Sequence, residues 1–150
     1  MQQFFAEPSW IREGRIFLEG SDVNHIKNVL RMRPGEDVRI SDGNGRVYLC
    51  CISAYEEKTA VLDILKELDA DTELPSKITL FQGLPKGDKM DWIVQKAVEL
   101  GAYSVVPFAA GRSIVKLDEK KAKKRQERWQ SIAKGAAEQS GRGPVSYTHL

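Results

Sequence analysis

The sequence is poor in the side chains that build metal sites and cross-links. Cys50 and Cys51 are its only two cysteines, and adjacent positions are the poorest spacing for a mutual bridge. A disulfide framework and a cysteine-built zinc site are therefore not expected, and no metal is. A reducing, cytoplasmic setting fits. There are two histidines, with no H-E-x-x-H and no Ser/His/Asp arrangement around them. No apolar run reaches the length of a membrane helix, so no membrane partner is expected. The N-terminal "MQQFFAEPSW" lacks the basic region, apolar core and cleavage site of a secretion signal. A phosphate-binding G-x-x-x-x-G-K-[ST] loop, a dinucleotide G-x-G-x-x-G fingerprint and internal repeats are also absent.

What is present is an ordinary soluble composition over 150 residues, 41% apolar. That is enough for one large domain or two small ones. The net charge is only +2, but it is unevenly spread. Residues 1–76 hold nine Lys and Arg against fourteen Asp and Glu, whereas residues 111–142 hold ten against four. The reversal of sign predicts two units with different tasks. A basic unit in a near-neutral protein points to a polyanionic partner, with a solvated helix face as the alternative.

The pattern along the chain supports that division. "GRIFLEG", residues 14–20, reads as a strand, and "SDVNHIKNVLRM" as a helix capped by Ser21, with Val23, Ile26 and Leu30 at helical spacing. Pro34 and Gly35 end it. Residues 37–65 read as three strands with a hairpin at "SDGNGR". Together these predict a small, mainly antiparallel β unit with one helix. The acidic, turn-rich "KELDADTELPSK", residues 66–77, reads as a linker. Beyond it the order is strand, helix, strand, helix, which predicts a parallel α/β sheet. The strands are at 77–84 and 104–109. The first helix carries Met90, Ile93, Val94, Ala97 and Leu100 on one side, with Gly101 at its C-terminal turn. The second carries Ala122, Trp129, Ile132, Ala133, Ala136 and Ala137.

Candidate functional residues lie on loops and helix ends of this second unit. In "LPKGDK", Asp88 is placed to cap the helix and Asp91 to favour its positive end. Lys86 and Lys89 sit unfavourably there unless an anion joins them, and read as a phosphate-contacting pair or as surface charge. Arg112 and Ser113 follow the second strand, on the same rim of the sheet, where α/β folds bind ligands. Arg112 could fork onto a phosphate or pair with a nearby acid. "KKAKKRQERW", residues 120–129, is basic along one helix, and either solvated or a polyanion surface. Glu138, Gln139 and Arg142 form a polar cluster where that helix ends, a place that helix capping alone would also explain. His25 stands alone on its short helix, packed or hydrogen-bonded rather than catalytic.

These residues resemble a known family. "QFF" (3–5), "HIKNVLRMRPGE" (25–36), "DGNGRVY" (42–48), "QGLPKGDKMDWIVQKAVELG" (82–101), "RSIVKL" (112–117) and "ERWQSIAKGAAEQSGR" (127–142) are similar to segments of the RsmE family of 16S ribosomal RNA (uracil-N3) methyltransferases, in the SPOUT superfamily. The resemblance spans nearly all of residues 1–142. The family pattern has two histidines where this chain has Asn24-His25.

The resemblance implies a fold of the α+β and α/β classes, a PUA-like β-barrel followed by the first part of a SPOUT trefoil-knot domain. The expected boundaries are 1–70 for the RNA-binding barrel, 71–76 for the linker, 77–142 for the methyltransferase part and 143–150 for an atypical tail. It implies methylation of uracil N3 in small-subunit ribosomal RNA, with S-adenosylmethionine as cofactor and the intact family as homodimers. The partner would be 16S ribosomal RNA or the small subunit. Carried onto this chain, Arg112, Glu138, Gln139 and Arg142 become catalytic or substrate-handling candidates. His25, Lys27, Arg31, Lys86, Lys89, Lys120 and Lys121 become RNA-binding candidates. The Gly-rich cofactor loop of the family is expected beyond Leu150. The alternative is a non-catalytic RNA-binding fragment.

Overall fold

The computed structural model describes residues 1–69, 73–111, 119–144 and 147–148. The chain divides into two compact units, Met1–Asp71 and Thr72–Leu150.

Unit 1 is a curled six-stranded sheet. Its strands are β1 (Gln3–Phe5), β2 (Ile11–Arg12), β3 (Arg15–Leu18), β4 (Asp37–Ser41), β5 (Val47–Tyr55) and β6 (Ala60–Leu68), in the order β1-β4-β5-β6-β3-β2. All pairings are antiparallel except β1 with β4. The order leaves β1 and β2 at the edges, so the unit is an open half-barrel. Register shifts at Leu49/Cys50 and Ile52/Ala54 bend the two long strands, as extra residues in a ladder do. Strand alternation turns Val38 and Ile40, Cys50 and Ile52, and Ile16 and Leu18 inward, each at most 1% exposed.

The turns follow local chemistry. Glu13 and Gly14 both take positive φ, 52° and 72°, the twist a two-residue hairpin needs between β2 and β3. In the 42–46 turn, Asp42 Oδ1 accepts from the backbone N–H groups of Asn44 at 2.8 Å and Arg46 at 3.0 Å. The side chain replaces backbone bonds that the reversal would leave unmade.

The helix predicted after residue 20 forms differently. Gly20 is the cap residue and Ser21 opens α1 (Ser21–Asn24), with no side-chain cap bond. Ser21 is therefore inside the first turn rather than before it. The chain then widens into a π-turn, His25–Val29. The Leu30 N–H reaches back to the His25 carbonyl at 2.9 Å. Arg31, at φ 55°, ends it in the left-handed region. Val23 and Ile26 both reach the core, at 7% and 0% exposure, as their helical spacing predicts. The predicted linker also starts later, because Lys66–Leu68 belong to β6.

Unit 2 is a parallel α/β layer: β7 (Thr79–Gly83), α2 (Lys89–Glu99), β8 (Ser104–Phe108), α3 (Glu119–Ser140) and β9 (Tyr147–Thr148), with strand order β7-β8-β9. The third strand comes from the segment expected to be an atypical tail. Thr148 is buried, and its N–H and hydroxyl both meet Gln130 Oε1. The strand order follows the chain, and α2 and α3 pack against each other. There Met90, Val94 and Val98 of α2 and Trp129, Ala133, Ala136 and Ala137 of α3 are buried, and the small alanines let the two helices pack closely. The α2 C-terminus closes as the sequence predicts. Gly101 takes φ 94°, its N–H donates to Val98 O and the Ala102 N–H to Ala97 O, each at 2.9 Å, the paired bonds of a Schellman cap. At the other end, Asp88 occupies the cap position but its side chain makes no cap bond.

Candidate nucleic-acid interface

The basic stretch of α3 does not stand in open solvent on all sides. A cleft of about 290 Å³ lies between it and the turn leading into α2. Gly87, Asp88, Met90 and Asp91 form one wall, and Lys121, Lys124, Arg125, Arg128 and Trp129 the other. Four cations thus face two carboxylates.

Asp91 ties the walls together. Its Oδ2 accepts from Arg128 Nε at 3.0 Å and from Arg128 Nη2. Its Oδ1 accepts from the indole N–H of Trp129 at 3.1 Å. The hydrogen bond from Arg128 to Asp91, and then the charge of Asp91, push the guanidinium further up from its already high range. Arg128 therefore stays a cation at any working pH. Sequence reading placed Asp91 at a helix end but missed this contact, because its partners lie 37 and 38 residues away. The one usable signal was a Trp beside an Arg on the same basic helix.

The predicted residues separate. Lys121 lines the cleft; Lys86, Lys89 and Lys120 are exposed and do not. Lys89 instead borders an apolar hollow with Trp92 and Ile93. Arg112 and Ser113 lie outside the described residues. Glu138 and Gln139 sit at the far end of α3, about 15 Å along the helix from Arg128 at 1.5 Å per residue, and Arg142 follows the helix. Glu138 is 3.7 Å from Lys134 Nζ, and Gln139 is exposed.

Arg142 is 4% exposed. It donates through Nε to Glu73 Oε1 at 2.9 Å and through Nη2 to Glu73 Oε2. Through Nη1 it reaches Val98 O at 3.2 Å and Ala102 O at 2.9 Å. This arginine satisfies the last carbonyls around α2, and that geometry is structural.

In unit 1, His25, Lys27 and Arg31 are exposed along the π-turn and its end. His25 meets Phe4 edge to face at 6.0 Å between centroids. The Lys27 ammonium lies 5.5 Å from the centre of the Tyr55 ring, within cation–π range. Burial, and then the charge of Glu36, raise the Tyr55 hydroxyl above its usual pKa, and that hydroxyl donates to Met32 O at 2.9 Å. A second cleft, of about 480 Å³, is bordered by Glu19, Asn24, Lys27, Asn28, Glu57 and Lys58. Among the described residues no group of His, Cys, Asp and Glu is gathered as a metal site, and no helix is long and apolar enough to cross a membrane.

A half-barrel and a parallel α/β layer carrying a basic cleft agree with the comparisons. The model of an RNA methyltransferase PUA domain matches residues 18–65, and that of an RNA methyltransferase domain matches residues 72–146. The two define the class, a PUA-linked RNA methyltransferase. Within that class the chain belongs to the ribosomal RNA small subunit methyltransferase E (RsmE) family, with the SPOUT-type fold of that family. The Bacillus subtilis member is 43% identical over 97% of this chain, and the Synechocystis member 33% identical over 90%. The crystal structure of the Neisseria gonorrhoeae member bound to S-adenosyl methionine superposes with a TM-score of 0.89 at 38% identity, over 99% of this chain. The chain spans 58%, 43% and 61% of the lengths of these three relatives.

Proposed function

We propose that this chain supplies the RNA-holding part of an S-adenosylmethionine-dependent enzyme that methylates uracil N3 in small-subunit ribosomal RNA, acting as a homodimer. The observation that carries this is the 43% identity, over 97% of the chain, to a ribosomal RNA small subunit methyltransferase E. Residues 1–70 serve as the RNA-binding barrel, 71–76 as the linker and 77–142 as the start of the methyltransferase domain. Lys27 and Arg31 in the first unit and Lys121 in the second are RNA contacts.

The basic cleft of unit 2 does not fit the cofactor. S-adenosylmethionine carries a sulfonium cation, and the cleft of unit 2 is lined by Lys121, Lys124, Arg125 and Arg128, which repel one. The same mismatch favours a second reading of these 150 residues by themselves, a non-catalytic RNA-binding part. Calorimetry with S-adenosylmethionine, beside RNA binding by fluorescence anisotropy, separates the two. RNA binding without cofactor heat is the expected result. Cofactor binding in the micromolar range would make this chain cofactor-competent by itself, and absence of RNA binding would remove the basis of both readings.

A further inference from the structure

The cleft in unit 2 has the features of an anion grip rather than of a solvated helix face. Lys121, Lys124, Arg125 and Arg128 recur at spacings of three, one and three, which stacks them on one side of α3. Like charges at such spacings destabilise a helix. A merely solvated helix gains nothing by gathering them on the side that faces a wall. Lys120 and Lys123 fall on other sides and do not line the cleft.

Arg128 is held differently from the lysines. Both oxygens of Asp91 are engaged, one by Arg128 and one by Trp129, whose ring is 2% exposed. The carboxylate is thereby anchored to the core and fixes one edge of the guanidinium. Nη1 makes no bond among the described residues, so the planar fork is oriented with a donor left for a ligand. The four cations extend over about 10 Å of helix axis. That is longer than one phosphate group and suits consecutive phosphates of a strand.

We infer that this cleft binds consecutive backbone phosphates of RNA. Lys121, Lys124, Arg125 and Arg128 make the contacts, and Asp91 is a positioning residue that holds Arg128. The inference rests on the RNA reading above and gives it a place and a geometry.

The test is titration of a labelled short single-stranded RNA with the full chain across a salt series. Lys124→Ala should lower the slope of log affinity against log salt by about one, while Lys123→Ala, its neighbour of equal charge, leaves the slope unchanged. Asp91→Asn is decisive, because it removes a negative charge from the cleft. If charge alone mattered, RNA would bind more tightly; a positioning role predicts weaker binding. Arg128→Lys should keep the salt slope and lose affinity, and it decides the matter if the melting curve shows Asp91→Asn unfolded.

Tighter binding by folded Asp91→Asn, equal effects at Lys123 and Lys124, or wild-type affinity in Arg128→Lys would overturn the inference. So would complete displacement of RNA by inorganic phosphate at fixed ionic strength, which would mark a site for a free small anion. RNA binding that no variant alters leaves the RNA reading standing and removes the cleft. No RNA binding by the wild-type chain removes both.

Discussion

Arg142 sits 4% exposed against a glutamate and two backbone carbonyls. Replacing it with Ala removes the partner of the Glu73 carboxylate and one donor from each carbonyl, of which Val98 O keeps the Gly101 N–H. Loss of one partner from such a pair costs about 3 kcal/mol, and urea unfolding of Arg142→Ala should show a loss of that order. A change within experimental error would return Arg142 to the list of substrate-handling candidates. The two cysteines make a different contrast. They alternate across β5, so Cys50 is buried and Cys51 half-buried. Burial, and then the neighbouring Cys51, raise the Cys50 thiol to about 12. Iodoacetamide at mildly alkaline pH should therefore modify Cys51 and spare Cys50, read by peptide mass spectrometry. Because the folded state keeps the Cys50 proton longer than the unfolded chain does, its stability contribution is full below the ordinary thiol value of 9.0 and is lost as pH rises toward about 12. Rapid modification of Cys50 under native conditions would contradict this burial.

The two ends of α2 respond oppositely to substitution. Asp88 has the sequence of a cap but makes no cap bond, so Asp88→Ala should change stability by no more than about 0.5 kcal/mol. Gly101 is constrained twice. Its φ of 94° is costly for any side chain, and an added Cβ would lie 2.9 Å from Leu74 Cδ1. Gly101→Ala should destabilise unit 2 by about 1–2 kcal/mol, the price of a left-handed residue, in the same denaturation assay. Equal effects at the two positions would remove this distinction. The contrast also shows what was legible beforehand. Gly101, the 42–46 hairpin and the α3 stripe depend on neighbours in sequence, and periodicity and turn chemistry reveal them. The π-turn after Asn24 leaves no mark in the pattern, because Val23 and Ile26 at a spacing of three face the core in an ordinary helix as well. The Asp91 clasp and the Arg142–Glu73 pair join residues far apart in sequence. No local pattern reveals such contacts, and for the same reason the basic run disclosed its charge but not which side of α3 faces a wall.

Across the whole molecule the two units are finished to different degrees. Unit 1 buries Ile16, Leu18, Val38, Ile40 and Leu62 completely. In unit 2, Phe81 is 68% and Phe108 46% exposed, and the register puts both on one face of the sheet, although parallel sheets are normally covered on both sides. Hydrogen exchange should therefore show strong protection within 36–65 and weak protection within 78–110. Uniformly strong protection would show that the exposed aromatics do not loosen the sheet. The pairing in unit 1 also sets an order in time. Gln3 meets Arg39 and Arg15 meets Asp63, so the earliest strands to leave a ribosome must wait for the latest ones of the same sheet. Non-local pairings of this kind cannot accumulate behind the advancing chain. The half-barrel should close late, once Leu68 has cleared the exit tunnel, with the β2–β3 hairpin unattached to the rest of the sheet until β6 arrives.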